Sequence, residues 1–202
     1  MSNMITLFLR DRNKDIVDEW TRVFAGYKNV DISCGDIFDI KADAIISPAN
    51  SFGFMDGGID LAYSKYFGWK LQKALQEKIN TEYYGELPVG AATIIETGNA
   101  DIPYLISCPT MRIPENVENT VNAYLAFRAA LIEVIRFNAE SANKISSILC
   151  PGLGTLTGSI TPVNCATQMI YAYDTILNKE PLNYNSLFDA YTIHQVLTGK
   201  LK

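Results

Sequence analysis

Residues 44–60 constrain the fold more than any other part of the chain. They read AIISPANSFGFMDGGID, an apolar run that enters a loop with three glycines and then a helix start. An apolar run bounded by turn residues is typical of a buried strand. Glycines let the backbone approach a ligand closely, and the amides and dipole at a helix start favour an anion. The segment therefore predicts a phosphate-binding loop in an α/β fold.

A second segment of the same design lies further along the chain. The apolar run ISSILC at 145–150 leads into PGLGTLTG at 151–158, and a helix is predicted from residue 161. If the two apolar runs are neighbouring parallel strands, both loops lie at the carboxyl edge of the sheet, where open α/β sheets place their ligands. One such loop can hold a phosphate, and two can hold a diphosphate.

Composition and periodicity indicate one covered sheet. A chain of 202 residues with 48% hydrophobic residues can bury the core of a single α/β domain. The alternation of strands and helices favours a mostly parallel sheet between helices, and residues 180–202 are expected to form a loop and a short helix packed on it. The predicted strands are 5–9, 30–34, 44–47, 91–96, 104–108 and 147–149, and the predicted helices are 14–24, 61–66, 69–78, 117–137 and 161–177.

The rest of the composition excludes several classes of function. The net charge of −5 disfavours broad non-specific nucleic-acid binding, and the apolar stretches are too short to span a bilayer, so a soluble, cytoplasmic protein without a membrane partner is expected. Cys34, Cys108, Cys150 and Cys165 are far apart, which predicts buried thiols and no metal site. The only histidine, His194, lies in the C-terminal segment, which disfavours a catalytic pair, and no cofactor is expected.

Together these segments resemble the macrodomain family of ADP-ribose-binding modules. The resemblance is carried by Gly35-Asp36-Ile37, by residues 44–60, in which Asn50 precedes Gly57-Gly58-Ile59-Asp60, and by the loop at 151–158. The resemblance implies a three-layer α-β-α fold with a mixed, mostly parallel central sheet. It also implies that ADP-ribose, or a target modified by it, is the partner.

The family gives individual residues expected roles. Asp36 is similar to the aspartate that accepts a hydrogen bond from the adenine amino group, although a turn role is the alternative. Asn50 is similar to the asparagine that fixes a hydroxyl of the distal ribose, and the alternative, which is compatible with that role, is that it braces its own loop. Asp60 is similar to the aspartate that helps to activate a water, and its alternative is a first-turn acid on the helix dipole. Asn50 and Asp60 are thus the predicted catalytic residues. The predicted ligand-binding residues are Asp36, Ile37, Gly57, Gly58, Ile59, Gly152, Gly154, Thr155, Leu156, Thr157 and Gly158.

Two departures from the family pattern leave the activity open. The second loop carries Thr155-Leu156-Thr157 where many hydrolytic members have an aromatic residue, and Asp56 places a carboxylate where a small residue is common. Phe52, Phe54 and Arg112 are weaker candidates for ligand contact. The leading hypothesis is hydrolysis of mono-ADP-ribose from a modified target by water attack at the distal ribose. The alternatives are a non-catalytic reader or sequestering module and a phosphatase acting on an ADP-ribose phosphate.

Overall fold

The computed structural model describes residues 5–201. Within them the strands are β1 Thr6–Asp11, β2 Val30–Cys34, β3 Ala44–Ser47, β4 Thr93–Glu96, β5 Tyr104–Ser107 and β6 Ser147–Cys150. The helices are α1 Lys14–Val23, α2 Gly58–Phe67, α3 Lys70–Glu82, α4 Asn122–Glu140, α5 Pro162–Ile176 and α6 Leu187–Leu197, with a 3-10 helix at Ile37–Asp39. No helix in this part of the chain combines the length and the apolar character that a membrane crossing requires.

The strands form one mixed sheet between two layers of helices. The strand order is β2-β1-β6-β3-β5-β4, and every pair is parallel except the antiparallel pair of β4 and β5. Ala44 and Ile46 of β3 face the core under α1, α4 and α5, whereas Ile45 faces the core under α2 and α3. Burial on both faces explains why β3 is apolar throughout. The three-layer fold with a mixed, mostly parallel sheet is confirmed.

The predicted start of the long helix at residue 117 was wrong. Val117 N–H donates instead to Gly158 O at 2.9 Å, and Thr120 N–H donates to Val117 O at 3.1 Å in a turn. These contacts tie the segment to the second glycine loop, so α4 begins only at Asn122.

The prediction that all four cysteines are buried is wrong at one position, because Cys34 is exposed while the other three cysteines are buried. A strand end at the sheet edge leaves the Cys34 side chain uncovered.

The C-terminal helix contacts α5 through its last turn. Gln168 Nε2 donates to Leu197 O at 2.9 Å, and the Leu197 side chain is buried. A buried amide that bonds a helix-end carbonyl satisfies one of the acceptors that a helix leaves free. The end of α6 is therefore fixed to the body, whereas the division of the chain into one domain with an extension stays a prediction.

Candidate ligand-binding site

A cavity of about 630 Å³ lies at the carboxyl edge of the sheet. Its walls come from the segments that follow β1, β2, β3, β5 and β6, because parallel strands bring their carboxyl ends to one edge. The pairing of β3 with β6 puts the two glycine loops side by side. The cavity lining includes all thirteen residues selected from the sequence: Asp36, Ile37, Asn50, Gly57, Gly58, Ile59, Asp60, Gly152, Gly154, Thr155, Leu156, Thr157 and Gly158.

The first glycine loop offers uncapped amides at the start of α2. Gly57 is the N-cap residue and provides no side-chain cap, and the first backbone bond of the helix runs from Leu61 N–H to Gly57 O at 3.1 Å. Among residues 5–201, the amides of Gly58, Ile59 and Asp60 have no hydrogen-bond acceptor. Gly58 has φ of +54°, a left-handed conformation that glycine adopts without strain. The site can therefore receive an anion from backbone donors alone.

The second glycine loop offers a further set of free amides. Those of residues 154–158 have no hydrogen-bond acceptor within the described chain. A Cβ at Gly158 would lie 2.6 Å from Gly154 O and 2.8 Å from Val117 Cγ2, so only glycine fits there. Gly152 differs, because its amide already donates to Asp11 Oδ2 at 3.0 Å. The diphosphate contact expected of the Gly152 amide would have to displace that carboxylate.

Asp60 is a buried carboxyl group in the wall of the cavity. Its side chain is only 7% exposed, and Ser47 Oγ donates to its Oδ1 at 2.6 Å. Burial raises the pKa of Asp60 to about 7, and the Ser47 hydrogen bond opposes the rise. Asp60 Oδ2 has no partner among residues 5–201. Near neutral pH this carboxyl group can accept or release a proton, as a general base must.

Asn50 braces its own loop in this structure. Its Oδ1 accepts hydrogen bonds from Phe52 N at 3.1 Å and Phe54 N at 3.3 Å, and its Nδ2 donates to Phe54 O at 2.8 Å. The loop-bracing role of Asn50 is observed, and its contact with a ribose hydroxyl stays a prediction. The amide still lines the cavity, and one Nδ2 hydrogen remains for a ligand.

Two arginines that sequence reasoning missed, Arg10 and Arg12, line the cavity beside Asp36. Arg12 forms an ion pair with Asp36 Oδ2, while Asp36 Oδ1 accepts from Phe38 N at 3.1 Å. The Phe38 amide, and then Arg12, hold the pKa of Asp36 below its ordinary value. Arg10 Nε donates to Asp36 O at 2.6 Å. The sequence feature that could have identified Arg10 and Arg12 is their position directly after the predicted strand 5–9, which ends at the same edge of the sheet as the glycine loops.

The weaker candidates are divided between the cavity and the surface. Phe54 lines the cavity, and Asp56 lines it at an exposed position. Arg112 instead pairs with Glu86 at 2.7 Å, and its Cζ lies 5.1 Å from the ring centroid of Phe52. Leu156 of the second glycine loop lines the cavity with a side chain that is 71% exposed. A ligand contact by Phe52 or Arg112 thus has no support from this geometry.

A three-layer α/β protein with two glycine loops at the carboxyl edge of its sheet is the class that the fold and cavity define. The Macro domain family model matches residues 46–169. An uncharacterized protein from Aeropyrum pernix is 29% identical over 80% of this chain and 78% of its own length. Another from Aquifex aeolicus is 30% identical over 67% of this chain and 75% of its own. The chain belongs to the macro domain family.

Solved structures share the same fold. The macrodomain of Mycobacterium tuberculosis DarG aligns with a TM-score of 0.59 at 19% identity, covering 71% of this chain and 88% of that one. The Oceanobacillus iheyensis macrodomain with ADP also aligns at 0.59, with 24% identity over 82% of this chain and 87% of its own. A mutant of that macrodomain with ADPR aligns at 0.59 with 22% identity, covering 82% and 89%.

Proposed function

We propose that this macrodomain binds ADP-ribose on a modified target and releases it by hydrolysis at the distal ribose. The observation that carries the proposal is the position of Asp60, a buried carboxyl group in the wall of a cavity that also presents two rows of free backbone amides. The structures of the Oceanobacillus iheyensis macrodomain with ADP and with ADPR support the choice of ligand.

The two loops and Asp60 have complementary roles in this proposal. The amides of residues 58–60 and 154–158 hold the diphosphate, and Asp36 accepts from the adenine amino group at the far end. The oxygen of a water forms a bond to the anomeric carbon of the distal ribose while the bond from that carbon to the target breaks. Asp60 takes the proton of the water and returns it to the leaving atom. The burial of Asp60 in the cavity wall and its fixed position make this carboxylate an effective base.

The test is the effect of Asp60→Ala on turnover and on binding measured separately. Loss of a general base lowers kcat by about 100-fold or more, whereas the affinity for ADP-ribose in calorimetry changes little because the amides remain. Asp101→Ala, which removes an exposed carboxylate that pairs with Lys41 outside the cavity lining, is the control and should retain turnover. An Asp60→Ala protein that releases ADP-ribose at the parent rate would remove Asp60 from the mechanism.

A non-catalytic reader is the second candidate function. It is favoured by Asn50, whose side chain is engaged with Phe52 and Phe54 in its own loop and is thus less available to orient the ribose. A reader binds ADP-ribose saturably and far more tightly than AMP but releases no product from an ADP-ribosylated protein. Calorimetry with ADP-ribose and AMP, run beside a release assay, separates the two functions.

A further inference from the structure

Ser47 is held rigidly beneath the first turn of α2. It is the last residue of β3 and is fully buried, and its carbonyl accepts from Cys108 N–H at 3.1 Å. The β3–β5 ladder therefore fixes its backbone. From this position its hydroxyl donates to Asp60 Oδ1 at 2.6 Å, a short distance for a hydrogen bond to a carboxylate.

We infer that Ser47 is a positioning residue for Asp60, holding one carboxylate oxygen so that the other is presented to the cavity. The inference deepens the proposed function and rests on it. Asp60 Oδ1 is occupied by Ser47, and Oδ2 has no partner among residues 5–201. Because Ser47 comes from the sheet and Asp60 from a helix, the bond couples the orientation of the carboxylate to the rigid core. Loss of the hydroxyl frees the carboxylate to rotate and removes the donor that favours its charged form.

The surroundings of Asp60 make Ser47 the group to test. The titratable neighbours of Asp60 are Tyr63 on α2 and Cys108 after β5, both buried, while Asp56 is a further carboxylate in the lining of the same cavity. Burial raises the pKa of both Tyr63 and Cys108, so both stay neutral in the physiological range. Tyr63 Oη donates to Ile46 O at 3.0 Å and is therefore committed elsewhere. Ser47 is the observed donor to the carboxylate.

Ser107 provides a matched control. It pairs with Ser47 in the β3–β5 register and is equally buried, yet its Oγ has no hydrogen-bond partner in the described residues. Ser47→Ala and Ser107→Ala thus delete the same group from neighbouring strands, and only the first deletes a contact to Asp60. Ser47→Thr keeps the hydroxyl and should restore the parent behaviour. Ser47→Cys, with a weak donor of similar size, replaces Ser47→Ala if that variant does not fold.

The experiment measures the titration of the Asp60 carboxyl carbon by NMR and the pH profile of kcat/KM for ADP-ribose release. In Ser47→Ala the Asp60 titration and the acidic limb of the profile are expected to move to higher pH by about one unit. At neutral pH the kcat of Ser47→Ala should be lower than that of the parent, whereas its affinity for ADP-ribose should be unchanged. Ser107→Ala should superimpose on the parent protein in both measurements.

The outcomes separate this inference from the proposed function. Equal Asp60 titrations in Ser47→Ala, Ser107→Ala and the parent, with normal hydrolysis, would overturn the role of Ser47 alone. A shifted titration in a parent protein that hydrolyses nothing at any pH would refute the proposed function and leave the Ser47–Asp60 coupling established. A shift in Ser47→Ala of both the Asp60 titration and the pH profile of kcat/KM supports the role of Ser47 and the proposed function.

Discussion

At the scale of single residues, the buried carboxyl group of Asp60 lowers the free energy of unfolding when it is ionised. The unfolded chain ionises this carboxyl group near its ordinary value of 3.8, whereas burial raises the pKa in the folded state to about 7. Between these values the folded protein holds a proton that the unfolded chain has lost. The contribution of Asp60 to stability therefore falls as the pH rises through this window and is constant above it. A carboxyl group whose pKa is strongly raised by burial in a cavity wall is a candidate functional group.

The penalty can be measured with Asp60→Asn, which keeps an acceptor for Ser47 and does not titrate. Relative to the parent, its free energy of unfolding should rise progressively between pH 4 and pH 7, by up to roughly 4 kcal/mol. Urea unfolding at pH 4 and pH 8 compares the two ends of this range. Asp56→Asn, on the exposed side of the same cavity, is the control. A difference between Asp60→Asn and the parent that stays constant with pH would show that the buried carboxyl group does not titrate as described.

At the scale of elements, the β3–β6 pair determines whether the two glycine loops meet. The pair is joined at its start by Asp43, whose Oδ2 accepts from Ser146 N at 2.8 Å, Ser146 Oγ at 2.7 Å and Ser147 N at 2.9 Å. In return, Asp43 N–H donates to Ser147 Oγ at 2.8 Å. This cluster lies at the end of the strands opposite the cavity and sets the alignment of the strands on which both loops depend.

Asp43→Ala should therefore destabilise the protein although the residue is distant from the cavity. Three hydrogen bonds to a charged acceptor are lost, and the free energy of unfolding should fall by about 2 kcal/mol in denaturant titration. Asp101→Ala removes an exposed carboxylate paired only with the exposed Lys41 at 2.8 Å and should cost no more than about 0.5 kcal/mol. Equal effects of the two substitutions would mean that the Asp43 cluster does not hold the strands together.

Local pattern predicted the elements, but it could not predict the contacts between them. The predicted bounds of β2 and β3 agree with the structure because turn residues clearly delimit both apolar runs. That the two glycine loops lie side by side could be predicted from the parallel pairing of β3 and β6 alone. The hydrogen bond between Asp11 at the end of β1 and Gly152 in the second glycine loop joins residues far apart in the sequence and leaves no local signal. For the ion pair between Arg12 and Asp36, the sequence shows that Arg12 follows a predicted strand but not which residue it contacts. The start of α4 could not be predicted for the same reason, because it depends on the hydrogen bond between Val117 N–H and Gly158 O, which are far apart in the sequence.

At the scale of the whole molecule, the cavity is assembled from loops on separate strands of one sheet. The Asp36 loop follows β2, the first glycine loop follows β3 and the second follows β6, and the strand order places β1 and β6 between β2 and β3. A ligand that reaches from Asp36 to Asp60 must therefore contact several of these loops at once. Binding of such a ligand should therefore stabilise these loops together.

Hydrogen–deuterium exchange with and without ligand tests this arrangement. The free amides at 58–60 and 154–158 should exchange rapidly in the apo protein, and saturating ADP-ribose should slow both sets several-fold because each amide gains an acceptor. AMP carries the adenine but only one phosphate, so it should protect the Asp36–Phe38 segment and only part of the amide rows. The strand β4, remote from the cavity, serves as an internal control that neither ligand should alter. Protection by ADP-ribose at only one glycine loop would show that the two loops do not hold a common diphosphate.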